Sequence, residues 1–92
     1  MSEEAEICDD IDADPLYYRI IKAYFTKYGK NAMQPHSDIP IVKYKNKYYA
    51  VLYNGVDNIL AVYRVIYFTP DDYTLKSINV EWFKKITKKL WE

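Results

Sequence analysis

The sequence predicts an α+β domain in which an N-terminal and a C-terminal helix cover one face of a three- to four-stranded antiparallel β-meander. Three observations support this class. Residues 43–53 and 59–68 are dense in β-branched and aromatic side chains and are interrupted only by turn-forming residues. The segments on either side carry apolar residues at helical spacing. The 92 residues are enough for one hydrophobic core and too few for two.

The first predicted helix begins at Asp14-Pro15 and ends at Gly29. Aspartate can accept hydrogen bonds from the free amides of a first turn, and proline suits the first helical position because no amide donor is needed there. Glycine is a common residue at helix ends. The apolar stripe consists of Tyr17, Ile21, Tyr24 and Tyr28, widened by Leu16, Ile20 and Phe25. This spacing predicts an amphipathic helix that packs on the sheet.

The extended segments predict three or four strands joined by tight turns. The predicted strands are 39–44, 48–54, 59–68 and a short fourth strand at 75–78. Asn46-Lys47 is the first predicted turn. Asp57-Asn58 is the second, because these residues accept positive φ more readily than most. Residues 69–72 contain a Pro-Asp turn signal and separate the last two strands.

The third predicted strand can face the helices with either of its two sides. One side carries Ile59, Ala61, Tyr63, Val65 and Tyr67, and the other carries Leu60, Val62, Arg64, Ile66 and Phe68. The first set is rich in tyrosine and the second is interrupted by a charge. We expect the second set to form the core through Leu60, Val62 and Ile66, with Arg64 pointing to solvent or paired with an acid.

The C-terminal residues 80–91 predict a second amphipathic helix, capped by Asn79. Its apolar side carries Val80, Phe83, Ile86 and Leu90, and its basic side carries Lys84, Lys85, Lys88 and Lys89. A strand through Trp82 is the alternative, because Ile78, Val80 and Trp82 alternate. The apolar side is expected to pack on the sheet. The cluster of Lys84, Lys88 and Trp91 is a candidate partner-binding site, since tryptophan is enriched at interaction hot spots.

The charge of the chain is unevenly distributed although it sums to zero. Residues 1–14 carry seven acidic groups and no basic ones, whereas the remaining residues carry thirteen basic and six acidic groups, so the split is −7 against +7. Acidic blocks of this kind are usually solvated. The sequence therefore predicts a disordered acidic tail over 1–13 and a single domain over 14–92. The tail could lie over the basic surface as an internal competitor.

The cellular setting follows from cysteine usage and hydropathy. Cys8 is the single cysteine, so no disulfide can form within the chain. The acidic N-terminus does not read as a signal peptide. The longest apolar stretches, such as 48–53, are far shorter than the roughly 20 residues of a spanning helix. We expect a cytoplasmic protein without a membrane span.

Residues 49–65, which read YAVLYNGVDNILAVYRV, carry a resemblance. Valine-leucine, a short Asn/Gly turn and then leucine-alanine-valine-tyrosine-arginine-valine resemble a hairpin shared by small uncharacterised cyanobacterial proteins. In that group the hairpin is followed by a basic run ending in tryptophan and proline, whereas here 75–83 lack the proline. The resemblance covers under a fifth of the chain. It implies a hairpin and a cyanobacterial setting, and no assigned chemistry.

The tyrosine-rich strands also form the first candidate site, a basic aromatic surface. Lysines at alternate positions point to one side of an extended strand, and tyrosines beside them could stack on bases as they do in single-strand binders. Alternatively, edge lysines discourage aggregation and tyrosines simply suit half-buried strands. The candidate partner-binding residues are Lys43, Lys45, Lys47, Tyr49, Tyr53, Tyr63 and Tyr67. This surface requires the four tyrosines to gather on one exposed face.

No catalytic, cofactor or metal constellation is recognisable in the sequence. Asp10-x-Asp12-x-Asp14 begins like a calcium loop, but Pro15 replaces the glycine of the sharp turn and Ile21 replaces the closing glutamate. His36 is the single histidine. We therefore expect a non-enzymatic protein-interaction or regulatory module without cofactors, which binds another protein or itself. The alternative is a weak, sequence-nonspecific nucleic-acid binder that uses the same basic aromatic face.

Overall fold

The computed structural model describes residues 5–8, 14–55, 58–69 and 72–90. The elements are β1 (Glu6–Ile7), α1 (Asp14–Tyr28), β2 (Ile41–Tyr44), β3 (Lys47–Tyr53), β4 (Ile59–Thr69), β5 (Asp72–Ile78), α2 (Val80–Ile86) and a short 3-10 turn (Lys88–Leu90). The strands form one sheet in the order β1-β2-β3-β4-β5, and each neighbouring pair is antiparallel. The α+β class with an antiparallel sheet and two helices is confirmed. The sheet has five strands rather than three or four.

The additional strand β1 lies in the segment that the sequence predicted to be a disordered tail. Glu6 pairs with Lys43 and Ile7 pairs with Val42, and the backbone N–H of Cys8 donates to the carbonyl of Ile41 at 2.8 Å. Residues 6–8 are thus paired with the edge of β2, whereas the sequence predicted a disordered tail over 1–13. Residues 1–4 and 9–13, including most of the calcium-like sequence, lie outside the described residues.

Helix α1 has the predicted start and amphipathic character. Its most buried residues are Leu16, Ile20 and Tyr24, which are spaced four apart and lie over one face of the sheet. Tyr28, at the end of the predicted stripe, is instead exposed. The helix ends at Gly29, whose φ of 96° belongs to the left-handed region, and the N–H of Gly29 donates to the carbonyl of Phe25.

The two helices lie on opposite faces of the sheet, not on one face as the sequence predicted. Tyr63 packs in the cluster that contains Ile20 of α1, whereas its neighbour Val62 packs in the cluster that contains Phe83 of α2. Tyr63 and Val62 are both buried. The side expected to form the core does so through Val62, but the opposite side forms a second core through Tyr63. Since both sides of β4 are covered near its middle, apolar residues fill both positions of its alternation.

A β-bulge changes the alternation at the start of β4. Leu52 pairs with Ala61, but the next residue of β3, Tyr53, pairs with Ile59, so Leu60 is the extra residue. Ile59 consequently packs on the α2 side, while Leu60 and Ala61 pack on the α1 side. The sequence prediction assumed an unbroken strand and placed Leu60 on the side of Val62.

The C-terminal helix is shorter than predicted. Asn79 caps it as expected, since the Asn79 side chain accepts a hydrogen bond from the backbone N–H of Trp82 at 2.9 Å. Helix α2 ends at Ile86, and the Thr87 hydroxyl donates to the Phe83 carbonyl at 2.7 Å. Lys88–Leu90 then form the 3-10 turn. No helix among the described residues is long and apolar enough to cross a membrane.

Candidate functional site

Helix α2 covers only part of its face of the sheet. Seven helical residues span about 10 Å, whereas the eleven residues of β4 span about 36 Å. Helix α2 packs on a cluster that includes Val42, Tyr49 and Val51. The strand positions beyond this cluster on the same face are exposed or half-buried, and we call them the open face. The open face consists of Tyr44, Lys47, Arg64, Ile66, Asp72, Thr74 and Lys76, so its three cations stand against the single carboxylate of Asp72 among these described positions.

The pairing register brings three cations onto the open face. Arg64 lies between Tyr49 of β3 and Lys76 of β5, and Tyr44 lies opposite Lys47. Because adjacent strands are about 4.8 Å apart, Lys47, Arg64 and Lys76 lie within one patch. Lys47 and Lys76 are exposed, and Arg64 is half-buried. The patch is positively charged although the chain as a whole is neutral.

Trp82 belongs to α2 and lies where this helix borders the open face. Its ring centroid lies 6.4 Å from that of Tyr44 and 6.1 Å from that of Tyr49. Trp82 retains 43% of its surface exposed. The Tyr49 ring is buried beneath it and contacts Phe83 at a centroid distance of 5.5 Å. Trp82 is thus held by aromatic contacts on one side and presents its other side to solvent.

Tyr49 is buried beneath Trp82 and is not available to contact a partner. Burial raises the pKa of the Tyr49 hydroxyl above its ordinary value of 10.0, and the positive charge of Arg64 offsets part of the rise. The hydroxyl is therefore protonated at neutral pH. The open face therefore gains no negative charge from Tyr49.

The three lysines of the predicted basic strand do not share one side. The β2–β3 turn contains Lys45 and Asn46 at φ values of 50° and 62°, one residue earlier than predicted. This is the geometry of a two-residue hairpin turn with positive φ at both positions. Lys43 therefore pairs with Tyr48 on the α1 side, while Lys47 lies on the open face. Lys45 is in the turn, with its ammonium 5.3 Å from the Tyr44 ring centroid.

The four tyrosines of the predicted surface do not gather on one exposed face. Tyr49 is buried on the α2 side and Tyr63 is buried on the α1 side. Tyr53 stacks on the exposed His36 ring at 5.2 Å, with 8° between the ring planes. Tyr67 belongs to β4, and its side chain lies outside the described residues. The tyrosine-rich strands therefore serve two cores.

The candidate lysines of the C-terminal segment are separate from the open-face strands. Lys84 is half-buried, with its ammonium 3.9 Å from the Glu81 carboxylate. Lys88 is exposed in the 3-10 turn. Trp91 lies outside the described residues. The sequence did not assign Tyr44, Arg64 or Lys76 to a binding site, because only the strand register brings them beside Lys47.

No family model, curated protein or solved structure matches this chain. Within the described residues, no group of three or more His, Cys, Asp or Glu side chains is placed to hold a metal ion. The chemistry of the open face is therefore the guide to function. Cations, a half-buried tyrosine and isoleucine, and a bordering tryptophan can together bind a partner that carries both negative charge and apolar surface.

Proposed function

We propose that the protein is a small non-enzymatic interaction module that binds an acidic segment of another protein on the open face. One observation carries the proposal: Lys47, Arg64 and Lys76 lie together on a part of the sheet that no helix of the described residues covers and that Trp82 borders. The single cysteine and the hairpin resemblance support a cytoplasmic and cyanobacterial setting for this activity.

The residue types of the open face match those that dominate protein interfaces. Tryptophan, tyrosine and arginine are the residues most enriched at interaction hot spots. Arg64, which is half-buried, can bind a carboxylate through two parallel hydrogen bonds. Lys47 and Lys76 stand at opposite margins and are exposed, so they would steer an acidic segment toward the centre. Trp82 and Tyr44 offer apolar contact area at low cost in side-chain entropy.

A single-stranded nucleic acid is the second candidate partner. The same cations could follow a phosphate backbone, while Trp82 and Tyr44 could stack on bases. The open face favours the protein partner, because the three cations on its described positions can neutralise few phosphates, so nonspecific nucleic-acid binding would be weak and strongly salt-dependent. We therefore place the acidic protein segment first.

Binding of two labelled probes of equal net charge tests the proposal. One probe is a glutamate-rich peptide with interspersed leucine and phenylalanine, and the other is a random single-stranded DNA oligonucleotide. Fluorescence anisotropy at low salt should show tighter binding of the peptide. Lys47→Glu and Arg64→Gln should each weaken peptide binding about tenfold or more, equivalent to about 1.4 kcal/mol. Circular dichroism would verify that both variants fold.

Lys22→Glu is the matched control, because Lys22 is exposed on α1 and the substitution changes the net charge as Lys47→Glu does. It should leave the peptide affinity unchanged. An equal loss in Lys22→Glu, or no peptide binding at low salt, would contradict the proposal. Tighter binding of the oligonucleotide would transfer the function to nucleic acid.

A further inference from the structure

Strand β5 is a long edge of the sheet. Its seven residues pair with β4 on one side, and no strand of the described chain pairs with its other side. The opposite edge differs, because the two-residue β1 partly covers β2. A free edge presents backbone N–H and C=O groups that can pair with another strand. An edge as long as β5 therefore needs either protection or a partner.

The sequence of β5 is complementary to itself in one antiparallel register. If Thr74 lies opposite Thr74 of a second copy, then Asp72 of each chain lies opposite Lys76 of the other. Asp72 and Lys76 are both exposed and point to the open-face side of the sheet. On the α1 side, Tyr73 would lie opposite Leu75. Opposite charges and apolar pairs at facing positions stabilise antiparallel strands.

Shifting the register removes this complementarity. Moving the second strand by two residues so that Leu75 meets Leu75 places Lys76 opposite Thr74 and Asp72 opposite Ile78. The two ion pairs are then lost while the side-chain alternation is kept. Lys76 is the kind of edge charge that usually prevents pairing. In the symmetric register Lys76 lies opposite Asp72 of the second copy. The charge pattern therefore favours this register over the shifted one.

We propose that two copies of the chain associate through β5 in the register that pairs Asp72 with Lys76, and so form a continuous ten-stranded sheet. The two-fold axis passes through the Thr74 pair, perpendicular to the sheet, and such an interface uses the same patch on both subunits. Both open faces then lie on the same side of the joined sheet. One strand pair buries less surface than a permanent dimer requires, so the dimer forms in a concentration-dependent equilibrium.

Sedimentation equilibrium of the full chain, under reducing conditions that exclude Cys8 disulfides, tests this proposal. The mass should rise from 11.0 kDa toward twice that value as concentration increases. Asp72→Lys or Lys76→Asp alone should weaken dimerisation about tenfold or more, since two-fold symmetry places like charges opposite each other twice. The double variant Asp72→Lys/Lys76→Asp should restore dimerisation.

Lys22→Asp provides the control, because it makes the same charge change as Lys76→Asp on the exposed side of α1. It should dimerise like the wild type. A constant mass of 11.0 kDa at all concentrations, or no rescue by the double variant, would overturn the proposal. Sedimentation is measured without peptide, and Asp72→Lys removes a carboxylate from the open face, so this variant should lose dimerisation while binding the acidic peptide at least as tightly as the wild type. A variant that loses dimerisation and keeps peptide binding therefore separates the two proposals.

Discussion

The two faces of the sheet differ in how completely a helix covers them. Helix α1 has fifteen residues and its side chains reach the edge strand: the Arg19 guanidinium lies 4.4 Å from the Tyr73 ring centroid, and Lys27 donates to the Ser77 hydroxyl at 2.7 Å. Helix α2 has seven residues and packs on only part of its face of the sheet, the cluster that includes Val42, Tyr49 and Val51. The length of a helix thus determines which part of a sheet is left to bind a partner.

The tyrosine-rich block contributes to both faces. Tyr63 belongs to the core under α1 and Tyr49 to the core under α2, and both are buried. Two-sided coverage therefore explains most of the aromatic density that first indicated a binding surface. The exposed chemistry lies where coverage stops, at Tyr44, Arg64 and Trp82.

The largest expected effect comes from truncating one buried side chain in each of the two cores. Ile20→Ala should lower the free energy of unfolding by about 2–5 kcal/mol, and Phe83→Ala by about 3–5 kcal/mol, because each residue is fully buried. Phe83 is the buried residue of α2, so its removal should also detach that helix from the sheet. Urea denaturation measures both losses.

The emission of Trp82, measured in a Trp91→Phe background, distinguishes the two variants. It should shift to longer wavelength in native Phe83→Ala and stay unchanged in native Ile20→Ala, because Trp82 packs beside Phe83 on the α2 side. The same shift in both variants would mean that the two faces do not act as separate cores.

A smaller effect is expected from the cap of α2. Asn79→Ala should destabilise the protein by about 0.5–2 kcal/mol, because the backbone N–H of Trp82 loses its acceptor. Asn79→Asp keeps an acceptor and should retain most of the stability. Urea denaturation of the two variants gives the comparison, and equal losses would show that the cap does not stabilise so short a helix.

The smallest expected effect is the difference in stability between removing two tyrosine hydroxyl groups in the core under α1. The Tyr24 hydroxyl donates to the Met33 carbonyl at 2.8 Å, whereas the buried Tyr63 hydroxyl has no hydrogen-bond partner within the described part of the chain. Tyr24→Phe should cost about 0.5–1.5 kcal/mol, and Tyr63→Phe should be neutral or stabilising. Thermal unfolding of the pair measures the difference. A larger loss in Tyr63→Phe would mean that its hydroxyl is hydrogen-bonded.

Local signals made much of the fold predictable. Asp14 and Gly29 bound α1 within a residue of the predicted ends, and Asn79 caps α2 as its position indicated. Leu16, Ile20 and Tyr24 are buried as the helical spacing required. Each of these features depends on residues within a few positions of one another, which is the range that sequence patterns describe.

The open face could not be predicted because it depends on non-local pairing. The turn at Lys45-Asn46 places Lys43 and Lys47 on opposite faces, whereas an unbroken extended strand would place them on one side. Only the register of β4 against β5 brings Lys76 beside Arg64. The two-residue β1 and the placement of the helices on opposite faces likewise depend on contacts between distant segments, which periodicity does not encode.

The most direct test is a map of where an acidic partner binds. Two-dimensional NMR of the labelled protein, titrated with the glutamate-rich peptide, reports every backbone amide and the indole N–H of Trp82. The shifts should concentrate at Tyr44, Lys47, Arg64, Lys76 and the Trp82 indole, with none along the exposed side of α1. Shifts centred on α1, or spread evenly over exposed lysines, would contradict binding at the open face.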